Sequence, residues 1–132
     1  MNLENIEASV ISRLKNKYPS SMKTKYPDTN FTADDRVPAD PKFPTVYVHL
    51  MGSTEEGQDL EGLTINAVMA TFQIEVKDNK SMSNASDVMG YVVKIMKTMR
   101  YEVVTMPEFS NNQSVYRKVA RFRRMIGSGD VL

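Results

Sequence analysis

The sequence predicts a small α+β domain: a four-stranded antiparallel sheet with two helices packed on it, in the order helix, long arm, two strands, helix, two strands. Two neighbouring segments carry this prediction. Residues 66–79 alternate between apolar and polar side chains, the period of a strand with one buried face. In residues 84–100 apolar side chains recur at spacings of three and four, the period of an amphipathic helix. The length of 132 residues suits one domain, 1–132, with a substantial core.

The first third of the chain predicts a helix followed by an arm. Residues 1–18 carry the apolar stripe of a helix, with Asn2 as its N-cap and Pro19 at its end. Prolines deny the backbone donors that a strand ladder needs, so we expect residues 19–44 to form a long arm with little strand pairing. In an assembling protein, such an arm lies across a neighbouring subunit. Its prolines are Pro27, Pro38, Pro41 and Pro44.

The remaining elements, within residues 45–126, build the sheet and the second helix. Residues 45–51 are rich in β-branched and aromatic side chains, which favours a strand. Residues 52–63 contain three glycines and several acids, which indicates an exposed loop before the alternating strand. A third strand is expected at 101–106, ended by Pro107.

The last element is ambiguous by pattern. The apolar positions of residues 115–126 fit a helix, whereas the β-branched and aromatic content favours a fourth strand, which we adopt. Residues 127–132 then form a flexible tail.

Composition excludes several classes of protein. The net charge is +1, from 17 basic and 16 acidic side chains, which argues against a generic binder of polyanions. The absence of cysteine excludes disulfides and removes the commonest zinc ligands. The first ten residues lack the basic start of a signal peptide, and no apolar run approaches the roughly 20 residues that span a bilayer, so we expect no membrane association.

No constellation of catalytic residues is evident. His49 is the only histidine and lies inside a predicted strand, where a structural role is the more common one. The adjacent acids lack the spacing of a calcium loop, and the glycines of residues 52–62 are not followed by the lysine of a phosphate loop. We therefore expect neither an enzyme nor a bound cofactor or metal.

Charge is separated along the chain, which suggests contacts between copies. There is no lysine or arginine from residue 50 to residue 76, whereas residues 115–124 are strongly basic. Complementary patches of this kind fix the register of an interface, although both could equally be solvated surfaces. Strand alternation also places Met69 on the polar side of its strand, where an exposed methionine suits an interface. With the last element as a strand, alternation places Arg117, Arg121 and Arg123 on one of its faces. The interface candidates are Arg117, Arg121, Arg123, Glu55, Glu56, Asp59, Glu61 and Met69.

Several phrases of the chain, taken in order, resemble one protein family. They are FPTVYVHL, GQDLEG, INAVMATFQIEV, IMKTMRYEV and YRKVARFRRMIGSGD. From about residue 34 to residue 130 the chain is similar to the tail-terminator (tail-completion) proteins of long-tailed bacteriophages. The resemblance implies a structural protein of the virion, at the neck of the tail, made in the host bacterial cytoplasm. It implies a hexameric ring, a homo-oligomer of about six copies. This ring caps the tail tube, stops its polymerisation and connects it to the head-completion (stopper) complex. DNA passes through the lumen without specific binding.

An alternative function comes from a different class, a small nucleic-acid-binding module that uses the basic C-terminal strand. As a strand, residues 115–126 would display aromatic and basic side chains on one side, where they could stack bases and hold phosphates. These residues are Tyr116, Lys118, Phe122 and Arg124. Steep salt dependence of binding would distinguish this function from a ring.

Overall fold

The computed structural model describes residues 3–34, 41–58, 65–111 and 115–127, which contain three helices and five strands. The predicted α+β class is confirmed, but the predicted two helices and four strands are too few. The helices are α1 (Leu3–Lys17), α2 (Ser20–Lys25) and α3 (Met82–Thr98). The strands are β1 (Asn30–Thr32), β2 (Thr45–Gln58), β3 (Ile65–Asp78), β4 (Glu102–Phe109) and β5 (Tyr116–Gly127).

The five strands form one mixed sheet in the order β1-β2-β3-β5-β4. The four longer strands pair antiparallel, as predicted. The three-residue β1 adds a parallel pair at the β2 side, so the sheet is not wholly antiparallel. In the part of the chain that is described, β1 and β4 are therefore the outer strands.

α2 and β1 lie in the segment predicted as a long arm with little strand pairing. Strand pairing in its described part is limited to the three residues of β1, whereas the six-residue helix α2 was not predicted. Met22 of α2 and Phe31 of β1 are buried in the core, and Phe31 packs edge-on against Tyr18 with 5.2 Å between ring centroids. Burial of these two apolar side chains in the core stabilises α2 and β1, although the nearby prolines disfavour regular structure. Residues 35–40 lie outside the described residues, and contact between the arm and a neighbour stays a prediction.

β2 also occupies much of the segment predicted as a loop. Its ladder with β3 continues to Gln58, with a bulge that leaves Met51 without a partner. Glycine weakens a strand locally, but the long neighbouring strand supplies paired backbone groups through residues 52–58. The rest of the predicted loop, residues 59–64, lies outside the described residues.

α3 begins and ends with well-formed caps. Ser81 Oγ accepts the backbone N–H of Asn84 at 3.1 Å, and the buried Asp78 carboxylate accepts the N–H groups of Lys80 and Ser81 at 3.0 and 2.9 Å. At the other end Arg100 adopts a positive φ of 70°, which reverses the chain into β4. The helix thus begins two residues before the predicted position and ends two residues before the predicted end.

The last two strands differ from expectation at one point. Pro107 does not end β4, which continues to Phe109. Proline is tolerated here because β4 is an outer strand, and its register with β5 shifts between Thr105 and Glu108. The choice of a strand for the last element is confirmed by β5; residues 128–132 of the predicted tail lie outside the described residues.

Helices α1 and α3 cover the same face of the sheet. Their apolar stripes join one core with the inward side chains of β2, β3 and β5, including the fully buried Phe72 and Phe122. Met89, Met96 and Met99 are buried in this core. None of the helices in the described ranges is both long and apolar enough to cross a membrane.

Candidate assembly surface

One face of the sheet is covered by none of the described helices, and we call it the uncovered face. Its side chains come from alternate positions of β2, β3, β5 and β4, which the ladders align in rows. The prediction that Arg117, Arg121 and Arg123 share one face of the last strand is confirmed. The charged and amide side chains at its centre are Gln73, Glu75, Lys77, Glu102, Arg117, Arg121 and Arg123.

Four of these side chains form a continuous network along β3 and β5. Arg117 forms an ion pair with Glu75, and Gln73 Nε2 donates to Glu75 Oε2 at 3.0 Å. Arg121 Nε donates to Gln73 Oε1 at 3.1 Å. Because the Gln73 amide has one donor group and one acceptor, the two bonds fix its orientation, with the nitrogen toward the carboxylate and the oxygen toward Arg121.

Glu75 is the buried member of this network. Its side chain is only 8% exposed, although it lies on the uncovered face. Burial alone would raise the pKa of the Glu75 carboxyl, but hydrogen bonds from Arg117 and Gln73, with the positive charge of Arg117, outweigh burial and lower the pKa. The carboxylate therefore stays charged at neutral pH and holds both donors in place.

The three arginines differ in how their charge is balanced. Arg117 is paired with Glu75, and Arg123 forms an ion pair with Glu102 of the neighbouring strand β4. Arg121 instead bonds the neutral amide of Gln73. Its guanidinium is thus held in position by the protein while its charge has no carboxylate partner among the described side chains.

Methionines occupy the same face toward the end of β5. Met69 pairs in register with Met125, and both belong to the outward positions of their strands. Met69 is half-buried, whereas Met125 and the bulged Met51 are exposed. Flexible thioether side chains adapt to the shape of a partner, so this end of the face can form an apolar contact beside the arginines.

Comparison with known proteins adds no family. No protein-family model matches the chain, and no curated protein matches it significantly. Among the described residues there is also no group of three or more His, Asp or Glu side chains placed to hold a metal ion. What the chain does must therefore be argued from its surface.

Glu55 and Glu56, the acidic interface candidates within the described part of the chain, lie away from Arg121 along the sheet. Glu55 and Glu56 are in β2, paired in register with Val68 and Ala67, while Asp59 and Glu61 lie outside the described residues. Arg121 pairs in register with Gln73, six residues along β3 from Ala67, which corresponds to about 20 Å. An ion pair needs an approach of about 4 Å, so Glu56 and Arg121 of one chain do not meet directly.

The side of β5 proposed for stacking bases is not available. Phe122 is fully buried and Arg124 is 7% exposed, because this side of the strand faces the helices. Lys118 Nζ donates to Ser86 Oγ of α3 at 3.0 Å, and the Arg124 guanidinium lies over the Tyr101 ring. The prediction that Tyr116, Lys118, Phe122 and Arg124 form an open nucleic-acid surface is therefore wrong: Tyr116 is exposed, but Phe122 and Arg124 are buried on the side of the strand that packs the core.

Sequence reasoning missed the partners that organise this surface. Gln73 and Glu75 were recognised only as the polar side of an alternating strand. Their role depends on the register that sets Gln73 beside Arg121 and brings Glu75 within reach of Arg117. Nothing local in either segment specifies that register.

His49 is exposed on β2 and stacks on Tyr47, with 5.8 Å between the ring centroids.

Proposed function

We propose that this chain is a tail terminator of a long-tailed bacteriophage. In this function, copies of the chain assemble into a closed ring on the end of the tail tube. The ring stops tube polymerisation and presents a surface to the head-completion complex, and DNA passes through its lumen. The proposal rests on the family resemblance of the sequence and on one structural observation, the uncovered face with its arginines.

The separation of charge supports contact between copies of the chain. The arginines lie at the middle of the sheet, and Glu55 and Glu56 lie toward one end of it. Opposite charges at different places on one molecule favour contact between copies, either across a two-fold axis or head to tail. A head-to-tail contact closes into a ring when the rotation between neighbours is suitable.

The uncovered face also has the composition of an interface. It combines a fixed polar network at the centre with the half-buried Met69 and the exposed Met125 toward the end of β5. Burying such a surface between copies removes apolar area from water without leaving Glu75 unpaired, because Arg117 and Gln73 already satisfy it.

The proposal is tested in the phage or prophage that encodes the chain. Removing the gene is expected to give tail tubes of uncontrolled length that do not join heads, as seen by electron microscopy. Tails of normal length joined to heads in the absence of the protein would contradict the proposal.

Complementation links this test to the uncovered face. The double variant Arg121→Glu/Arg123→Glu is expected to fold but not to restore normal tails, since it reverses the charge of the proposed contact. The matched control, Lys94→Glu/Lys97→Glu, makes the same charge change at exposed positions on α3. It is expected to restore normal tails.

A further inference from the structure

We propose that a pocket beside β1 binds an acidic segment of a partner protein, held in an extended conformation along the outer edge of the sheet. The pocket lies between the end of α1, α2 and β1, and its volume is about 510 Å³. It uses none of the side chains of the uncovered face, so the proposal does not depend on the ring. It adds a second interaction surface to the molecule, for a partner of a different kind.

The charged side chains that line the pocket are both basic. They are Lys15 and Lys23, and none of the lining residues is an acid. Neither lysine has a carboxylate partner among the described residues. Two other lysines of this region are already bonded to α3, since Lys25 forms an ion pair with Asp87 at 2.8 Å and Lys17 donates to a threonine hydroxyl. The surplus of positive charge in the pocket therefore favours an incoming carboxylate.

The backbone of β1 supplies hydrogen-bonding groups at the same place. β1 is an outer strand, and the N–H of Asn30 donates to the C=O of Pro44 on the side of β2. Backbone groups of successive residues point to opposite sides of a strand, so the N–H and C=O of Phe31 point to the outer edge. Phe31 also lines the pocket. An extended segment placed there pairs with Phe31 through its own backbone, as in other cases of strand addition.

The walls of the pocket suit a side chain of such a segment. Asn16 and Asn30 contribute exposed amides, and Tyr18, Tyr26 and Phe31 contribute aromatic surface. These three aromatic side chains are each at most 9% exposed, so they form a closed wall and offer no open ring face. Stacking of bases needs an open ring face. The pocket therefore fits a carboxylate side chain better than a nucleic acid.

The test measures the binding of short capped peptides to the full chain by fluorescence anisotropy at low salt. In the probe peptide glutamate alternates with threonine, because alternate side chains of an extended segment lie on one side. We expect it to bind at least tenfold more tightly than a peptide with lysine in place of glutamate. Lys15→Gln/Lys23→Gln is expected to weaken binding at least fivefold. The matched control Lys94→Gln/Lys97→Gln removes the same charge from exposed positions on α3 and is expected to change binding less than twofold.

Two further probes separate an extended segment from a free anion. The same peptide with every backbone nitrogen methylated keeps its charge but has no N–H donors, and we expect it to bind at least tenfold more weakly. Free glutamate is expected not to compete at the concentrations at which the peptide binds. A photoreactive benzophenone on the peptide then locates the site, and labelling is expected in α1, α2 or β1. Thermal unfolding of each variant checks that the domain remains folded.

Several results would overturn the inference. They are no binding of the acidic peptide, equal weakening by the two lysine pairs, equal binding of the methylated peptide, and effective competition by free glutamate. Labelling confined to the uncovered face, or tighter binding of a single-stranded oligonucleotide than of the peptide, would also overturn it. A chain that forms a ring but does not bind the peptide fails this inference alone. A chain that binds the peptide without forming a ring fails the proposed function alone.

Discussion

Replacement of Glu75 by glutamine isolates the contribution of the buried ion pair on the uncovered face. The change removes the charge that holds Arg117 but keeps an acceptor for Gln73. Charge-assisted hydrogen bonds contribute about 1.5–3 kcal/mol each, and breaking a fully buried pair costs about 3–5 kcal/mol. Arg117 is 29% exposed and retains contact with water, which moderates the loss. We therefore expect Glu75→Gln to lower the free energy of unfolding by about 2 kcal/mol at pH 7.

The matched control is Glu102→Gln, which removes the same kind of pair in a more exposed setting. The side chains of Glu102 and Arg123 are 62% and 49% exposed, and exposed pairs contribute less than about 1 kcal/mol. Urea unfolding at protein concentrations where the chain is monomeric measures both variants. Equal losses of stability, or a loss below about 0.5 kcal/mol for Glu75→Gln, would refute the idea that burial sets the strength of the pair.

The effect of Glu75 also has a defined dependence on pH. Since folding lowers the pKa of this carboxyl, the charged form stabilises the fold above the unfolded pKa of about 4.3, and this contribution is lost as the pH falls through the folded value. The difference in stability between wild type and Glu75→Gln is therefore expected to be complete at pH 7 and to shrink below about pH 4. A difference that stays constant from pH 7 to pH 3 would contradict this assignment.

Three further predictions concern the elements that position the sheet. Ser81→Ala removes the side chain that caps α3, and should lower the free energy of unfolding by about 1 kcal/mol in urea titrations. Arg100→Gly relieves a positive φ of 70° and should raise the thermal midpoint, with a gain of about 0.5–1 kcal/mol after the greater entropy of glycine in the unfolded chain is subtracted. Phe122→Ala empties the middle of the core and should cost about 3–5 kcal/mol, whereas Met125→Ala on the uncovered face should cost less than about 1 kcal/mol. A greater loss of stability for Met125→Ala than for Phe122→Ala would contradict the placement of these two residues.

Elements with a strong hydrophobic period could be predicted from the sequence. β3 and α3 appear within two residues of their predicted positions, because each buries a regular stripe against the other. The last element, whose pattern fitted either a helix or a strand, is the strand β5. Its side chains Phe122 and Ile126 lie on the same face of the strand and pack in the core. Here the period of two gave the correct answer although a helical period also fitted.

Elements held by contacts distant in sequence could not be predicted in the same way. β1 has only three residues, and its place depends on Phe31 reaching the core beside Tyr18. The second half of β2 contains Gly52 and Gly57, which locally favour a loop, and is a strand only because β3 pairs with it. Local propensity gives no information about such a partner.

Only part of the candidate surface could be predicted from the sequence. Alternation alone placed Arg117, Arg121 and Arg123 on one face of a strand. It could not distinguish between them, because the distinction arises from neighbours on other strands: Glu75 and Glu102 pair with two of the arginines, and Gln73 holds the third.

The measurement that tests the central claim most directly is the native mass of the purified full chain, with electron microscopy of the same sample. We expect a closed ring of about six copies at low salt, and dissociation as salt screens the contact. A mass of one copy at every protein and salt concentration, with no rings in the images, would contradict the account.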